Sequence, residues 1–384
     1  MRSVTRRGFV GALGATAGLG WLPPIAAERP AVSAAREQEV RLSGDGLGIT
    51  PREYAALLDG LCQKADVAED TYLLGGEVER FERQWAELLG KETAVFMPSG
   101  TLANQLALRA LAGDRRRVIV PEMSHIYNDT GDACQTLSAL TLLPLAPGTA
   151  TFTRAEVEAV LARTAGGRVA ADVGAIVIES PIRRLSGQMF DWTEMRRIAD
   201  LARERGIGMH LDGARLFIAS AYTGIAPAEY AALFDTVYVS LWKYFNCGVG
   251  AILAGPKRVL DGMFHVRRMF GGNLAVGWPA VLVARHYMDG FVDRLKGAVG
   301  VSEAFYEQVA SHPKLGIERI PNGTNLARLM VRGIDPGVLS RRLGERGIRL
   351  PAAAPGGVFT LGVNETWNRT TAADLTRAFE QALD

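Results

Sequence analysis

The chain is poor in cysteine: Cys62, Cys134 and Cys247 are its only three among 384 residues. They lie far apart and show no zinc spacing, so no metal site and no disulfide framework follow, although one disulfide stays open. A surplus of one charge is also missing. Lys and Arg number 43 against 41 Asp and Glu, for a net charge of +2. That balance gives no electrostatic basis for binding nucleic acid or an anionic membrane. No Gly-Lys-Ser/Thr turn marks a P-loop, and no repeat or low-complexity segment follows the first thirty-odd residues. What remains, 48% hydrophobic and 22% charged, is the profile of a soluble globular protein. The length suits one large domain plus a smaller one.

The first residues read as a targeting segment. Arg2, Arg6 and Arg7 form a positive start, and an apolar run from Phe9 to Leu22 follows. That run is short for a membrane span and is broken by Gly11, Gly14, Gly18 and Gly20. Thr5-Arg6-Arg7-Gly8-Phe9-Val10 resembles the twin-arginine motif, which directs folded proteins across the bacterial inner membrane. Residues 1–34 are therefore expected to be a signal peptide, with cleavage between Ala27 and Ala35 and no membrane attachment afterwards. The mature protein would be periplasmic or otherwise exported.

Beyond an extended lead-in, Leu42 to Gly48, Thr50-Pro51 predicts a helix start with Tyr54, Leu57, Leu58 and Leu61 on one face. A second helix, Glu77 to Leu89, stops at Gly90. Then Ala94 to Met97, Val118 to Pro121, Ala175 to Glu179, Ile207 to Asp212, Thr236 to Leu241 and Ala251 to Ala254 read as buried strands, several separated by helices. The alternation predicts an α/β fold: a large domain, 35–290, whose largely parallel sheet is covered on both faces by helices. Residues 291–384 suggest a small C-terminal α+β domain.

Several strands end in residues with chemistry. Ser99-Gly100-Thr101, between a strand and a helix, is either an ordinary capped turn or an anion site. Glu122-Met123-Ser124-His125 follows the next strand, at the sheet edge where ligands gather. Asp212 ends another, with Arg215 close enough for a plain salt bridge. Lys243 follows a strand that leaves it to snorkel, pair, or act as a desolvated amine nucleophile. Together they fit pyridoxal phosphate, which needs a lysine for a Schiff base, an acid facing the pyridinium nitrogen, an aromatic over the ring and a phosphate turn.

The chain resembles the threonine aldolase-like branch of the β-eliminating lyases, pyridoxal-phosphate enzymes of the aspartate-aminotransferase fold. Leu88 to Thr101 and His210-Leu211-Asp212-Gly213-Ala214-Arg215-Leu216-Phe217 carry the likeness, which runs from about Leu42 to Leu295. It implies that Lys243 carries the Schiff base, Asp212 pairs with the ring nitrogen, and His125 stacks on the ring and acts as a base. It also implies that Ser99, Gly100 and Thr101 hold the phosphate and Arg215 lies beside the ring hydroxyl. Ser43 would help bind the substrate carboxylate, Tyr72 would lie close to the site, and Glu179 matches a family acid whose role stays open. A small-molecule amino-acid substrate and a homodimer or homotetramer are expected.

Departures from the family pattern are equally specific. Trp242 and Tyr244 flank the lysine where Ser and Gly are usual, Pro181-Ile182 replaces a Thr-His pair, and Ala275 replaces an arginine. The C-terminal arginine that clamps the substrate carboxylate aligns near Phe359, which leaves Arg369 or Arg328 to supply the guanidinium. The expected reaction is retro-aldol cleavage of a β-hydroxy-α-amino acid to glycine and an aldehyde. β-Elimination on a bulkier substrate, or cofactor binding without turnover, are the alternatives.

Overall fold

The computed structural model describes residues 38–384 except 65 and 170. The twin-arginine motif and its cleavage region lie outside these residues.

Seven strands form the central sheet: β1 (Thr93–Met97), β2 (Arg117–Pro121), β3 (Thr141–Leu145), β4 (Val173–Glu179), β5 (Gly208–Asp212), β6 (Thr236–Ser240) and β7 (Ala251–Gly255). Their spatial order is β1-β7-β6-β5-β4-β2-β3. Every residue of β4, β6 and β7 is buried, as expected for strands covered on both faces. Pairing is parallel except along β7, which runs antiparallel to both β1 and β6. Two reversals cancel, so β1 points the same way as β4, β5 and β6. Their carboxyl ends therefore share one edge, the edge at which open α/β sheets bind ligands.

β3 is not among the strands that the sequence pattern predicts. It is an edge strand with only one buried residue and carries Pro144, a residue that edges tolerate and that hides the strand pattern. The expected apolar face of the first helix, Pro51–Lys64, is also less buried than its periodicity suggested: no residue of that helix is fully buried.

Helix Gly76–Leu88 presents Phe81 and Trp85 to the sheet. Trp85 meets Phe81, Phe217 and Phe245 edge-on at 5.9, 5.4 and 5.7 Å between ring centroids. Removing such a ring typically costs about 3–5 kcal/mol.

In the C-terminal part, Leu315–Arg319, Leu326–Val331, Val358–Gly362 and Ala353–Ala354 form an antiparallel sheet. Helices Phe291–Val309 and Ala372–Leu383 pack together, with Phe305 against Phe379 and Trp367. Val40–Arg41 pairs with Ile348–Arg349, and Leu42 accepts a hydrogen bond from the amide of Gly362 at 2.9 Å. Asn364 holds the next turn through the carbonyls of Arg41 and Ser43, at 3.0 and 3.1 Å. These bonds carry the lead-in segment back to the carboxyl edge of the central sheet.

Candidate active site

Lys243 sits in the turn between β6 and β7. The turn is closed by Leu241 donating to Gly250 at 3.1 Å, and Asn246 adopts a left-handed backbone within it. Burial first, and the Arg215 cation second, push the Lys243 amine down to about 8. Its Nζ lies 5.2 Å from the centre of the Trp242 ring. A desolvated amine of this kind gives up its proton more readily than an ordinary lysine, which makes the neutral nucleophile accessible near physiological pH.

One cavity of about 280 Å³ gathers Ser99, Gly100, Thr101, His125, Glu179, Asp212, Arg215 and Lys243, together with Arg183, Ala214, Tyr238 and Trp242. Ser99 caps helix Gly100–Ala112, its Oγ accepting from Leu102 at 3.3 Å and its carbonyl from Ala103. The first-turn amides of Gly100 and Thr101 thus remain at a helix N-terminus that favours an anion. At Gly100 a side chain would crowd the turn: a Cβ there would lie 2.0 Å from the Tyr238 hydroxyl.

Asp212 and Glu179 end adjacent strands at paired register positions, and both are buried. Asp212 accepts from Asn104 Nδ2 at 2.7 Å and from the Ala214 amide at 3.2 Å. Glu179 accepts from the amides of His125 at 2.6 Å and Arg183 at 3.2 Å. Burial, with Asp212 beside it, pushes Glu179 well above the usual carboxylate range. His125 opens a short helix capped by Ser124, so its ring stands at the cavity while its amide is tied to Glu179.

Arg215 pairs with Asp45 through Nε at 2.9 Å and Nη2 at 2.8 Å. The Arg215–Asp212 pairing open at the sequence level therefore gives way to a bond with the lead-in segment. Ser43 lines an adjoining cavity with Arg41, Trp242 and Lys243. A third cavity shares Asp45, Arg183, Arg215, Trp242 and Lys243.

Other expected residues lie elsewhere. Arg369 donates to the Glu39 carbonyl at 2.8 Å and lines a separate cavity with Glu39 and Tyr287. Arg328 bridges to Glu318 at 2.8 Å on the C-terminal sheet. Neither lines the cavity around Lys243. Phe359 is fully buried in the small sheet, so it leaves no gap for a guanidinium. Tyr72 is 47% exposed with Arg268 stacked 5.3 Å from its ring, and it does not line the cavity of its own chain. Tyr244 is a core residue packed on Phe245 and Phe291 at 4.5 and 4.9 Å, so of the two aromatics flanking Lys243 only Trp242 alters the pocket.

Sequence reasoning missed Asn104, Arg183 and Asp45. Asn104 was detectable as a polar residue in the apolar run of its helix. Arg183 and Asp45 gave no such signal, because loop charges are ordinarily solvated.

A model of the Beta-eliminating lyase family matches residues 54–334. The chain belongs to that family. It is accordingly an enzyme, and pyridoxal phosphate is its cofactor. The lyase is 28% identical over 248 residues to a low-specificity L-threonine aldolase of Candida albicans, a match covering 63% of this chain and 64% of that one. A Listeria monocytogenes structure, provisionally assigned as an L-allo-threonine aldolase, superimposes with a TM-score of 0.74 at 27% identity, over 91% of this chain and 97% of that one. A serine palmitoyltransferase from S. paucimobilis, solved with a pyridoxal phosphate adduct, shares the fold at 15% identity, with a TM-score of 0.61 over 90% and 86% of the two chains.

The donor set of the cavity suits that cofactor: a lysine with a lowered pKa, a buried acid held by amides, and a capped helix N-terminus. Among the described residues no group of three His, Cys, Asp or Glu is placed to hold a metal ion.

Proposed function

We propose that the lyase cleaves a β-hydroxy-α-amino acid by a retro-aldol step, releasing glycine and an aldehyde. The observation that carries this reading is the convergence of Lys243, Asp212, His125 and the Ser99–Thr101 turn on one cavity. When bound there, pyridoxal phosphate supplies an electron sink for the carbon–carbon cleavage. The protein's own part is to hold, orient and move protons. Lys243 would offer its readily deprotonated amine, the amides of Gly100 and Thr101 would take the phosphate, and Asp212 would pair with the ring nitrogen. His125, backed by Asp129 at 3.4 Å from its Nδ1, receives the proton of the β-hydroxyl as the Cα–Cβ bond breaks. A proton returned to Cα completes glycine.

In this reading Arg183 replaces the guanidinium missing near Phe359. It lines both the cofactor cavity and the neighbouring one that contains Asp45 and Arg215, and no acidic side chain pairs with it among the described residues. Purified protein incubated with threonine, allo-threonine and phenylserine should release glycine. Pyruvate or ammonia without glycine would overturn the aldol reading in favour of elimination, the alternative motivated by Trp242 at the cavity wall and by the displaced clamp.

We also propose a homodimer or homotetramer. Tyr72, Leu74, Met269 and Val276 are 47%, 52%, 69% and 45% exposed, and helix Pro51–Lys64 leaves its apolar face incompletely covered. Sedimentation of the protein gives the subunit number. Export by the twin-arginine route is proposed from Arg6-Arg7 alone, and cell fractionation with and without an Arg6→Lys/Arg7→Lys change tests it.

A further inference from the structure

Behind Asp212, away from the cavity, runs a chain of buried polar side chains. Asn104, His210, Asp212 and Thr236 are all at most 1% exposed. His210 Nδ1 lies 2.8 Å from Thr236 Oγ1, His210 Nε2 lies 2.9 Å from Asn104 Oδ1, and Asn104 Nδ2 lies 2.7 Å from Asp212 Oδ2. Proton inventory orders this chain. A carboxylate only accepts, so the amide nitrogen of Asn104 faces Asp212 and its oxygen faces the histidine. That oxygen needs a donor, so Nε2 carries the imidazole proton. Nδ1 is then an acceptor for the Thr236 hydroxyl. Burial pushes His210 down to about 3, which keeps the ring neutral.

We infer that Thr236, His210 and Asn104 form a one-directional hydrogen-bond relay that positions the Asp212 carboxylate and thereby sets the protonation of the cofactor's ring nitrogen. The inference rests on the reading of the cavity as the pyridoxal phosphate site. None of the three lines that cavity, so they are positioning residues rather than catalytic ones. The relay spans three elements: helix Gly100–Ala112, β5 and β6. The helix whose first turn forms the phosphate site thus also sets the acid through Asn104. Both ends of the cofactor site depend on one helix.

Other groups face Asp212 and contribute to the same field: Glu179 from β4, Tyr238 from β6, and Lys243 from the turn that follows it. None of these donates a hydrogen bond to its carboxylate, whereas Asn104 does. The second donor, the Ala214 amide, belongs to the backbone and is untouched by the variants below.

The test uses the full-length enzyme loaded with cofactor labelled with nitrogen-15 at the ring nitrogen. Its chemical shift reports protonation directly, and equilibrium dialysis gives the cofactor dissociation constant. In Asn104→Ala and His210→Phe the ring nitrogen should lose its proton at a pH about one unit lower than in the wild type. Cofactor affinity should fall about tenfold or more, the range for a lost hydrogen bond to a charged group. His210→Gln, whose amide can donate where Nε2–H does, should restore much of both values. Where a cavity-forming variant fails to fold, Thr236→Val keeps the side-chain shape and removes only the outermost donor, and it should shift both readouts in the same direction by less. Variants that melt earlier, yet keep the wild-type nitrogen shift and dissociation constant, would overturn the relay. Wild-type protein that takes up no cofactor, and shows no borohydride-trapped adduct on Lys243, would overturn the cavity reading itself.

Discussion

Glu179 and Asp212 stand side by side at the ends of two parallel strands, both buried, with separate hydrogen-bond donors. Asp212 receives a side-chain amide and Glu179 receives two backbone amides. Two carboxylates this close repel when both are ionised, so the pair favours a state in which Glu179 keeps its proton. Asn104 holds the Asp212 carboxylate in place at the cofactor cavity.

Lys243 leads to a pH dependence. Its amine titrates at about 8 in the folded protein, against 10.5 for an ordinary lysine. The neutral form is the one that attacks the cofactor aldehyde. Uptake by the cofactor-free protein should therefore rise about tenfold per pH unit below that value and level off above it. Stopped-flow absorbance follows the uptake. A rate still climbing at the same slope past about pH 9.5 would contradict the depressed amine.

Arg183 should control substrate affinity. Replacing it with glutamine removes a charge-assisted contact to the substrate carboxylate and should raise KM by about 10- to 100-fold. The cofactor's absorption spectrum should be unchanged, and Arg183→Lys should recover part of the loss. Steady-state kinetics with any amino acid that the enzyme turns over decides this. An unchanged KM would remove Arg183 from the site.

Gly100 tests the crowded turn. Its missing side chain leaves room for the Tyr238 hydroxyl, which a Cβ would approach to 2.0 Å. Gly100→Ala should lower stability by about 1–3 kcal/mol, the usual range for overpacking, and weaken cofactor binding. Urea melts of the cofactor-free protein and a binding titration separate the two effects.

His210 predicts acid sensitivity with a definite sign. Its pKa drops from 6.5 to about 3 on burial. Between those values the unfolded chain holds a proton that the folded chain does not. Stability is therefore fully present above pH 6.5 and falls as the pH drops toward 3, with a slope of at most about 1.4 kcal/mol per unit from this group. His210→Gln should flatten part of that decline in thermal melts between neutral and mildly acidic pH. Parallel curves for the two proteins would show that His210 does not titrate this way.

The local chemistry of this protein was written in its sequence. Lys243, Asp212, His125 and Ser99-Gly100-Thr101 each follow a buried run, and a strand that ends in a polar residue announces where its edge lies. The runs themselves, all apolar and several separated by helices, declared the parallel sheet. Antiparallel β7 and the edge strand β3 escaped that reading, because apolarity reports burial and not direction, and Pro144 masks the strand pattern.

Tertiary structure alone decided which charges meet. Arg215 bonds Asp45 across 170 residues of chain, Arg369 and Arg328 lie away from the cavity, and Arg183 enters it. It also decided that Tyr244 packs into the core while Trp242, two residues earlier, walls the pocket. Pairing of side chains far apart in sequence depends on how sheet and helices pack, and a single sequence records no trace of such distances. The lysine turn was therefore legible from its residues. The Asn104–His210–Thr236 row behind its acid appears only once helix Gly100–Ala112 is laid across β5 and β6.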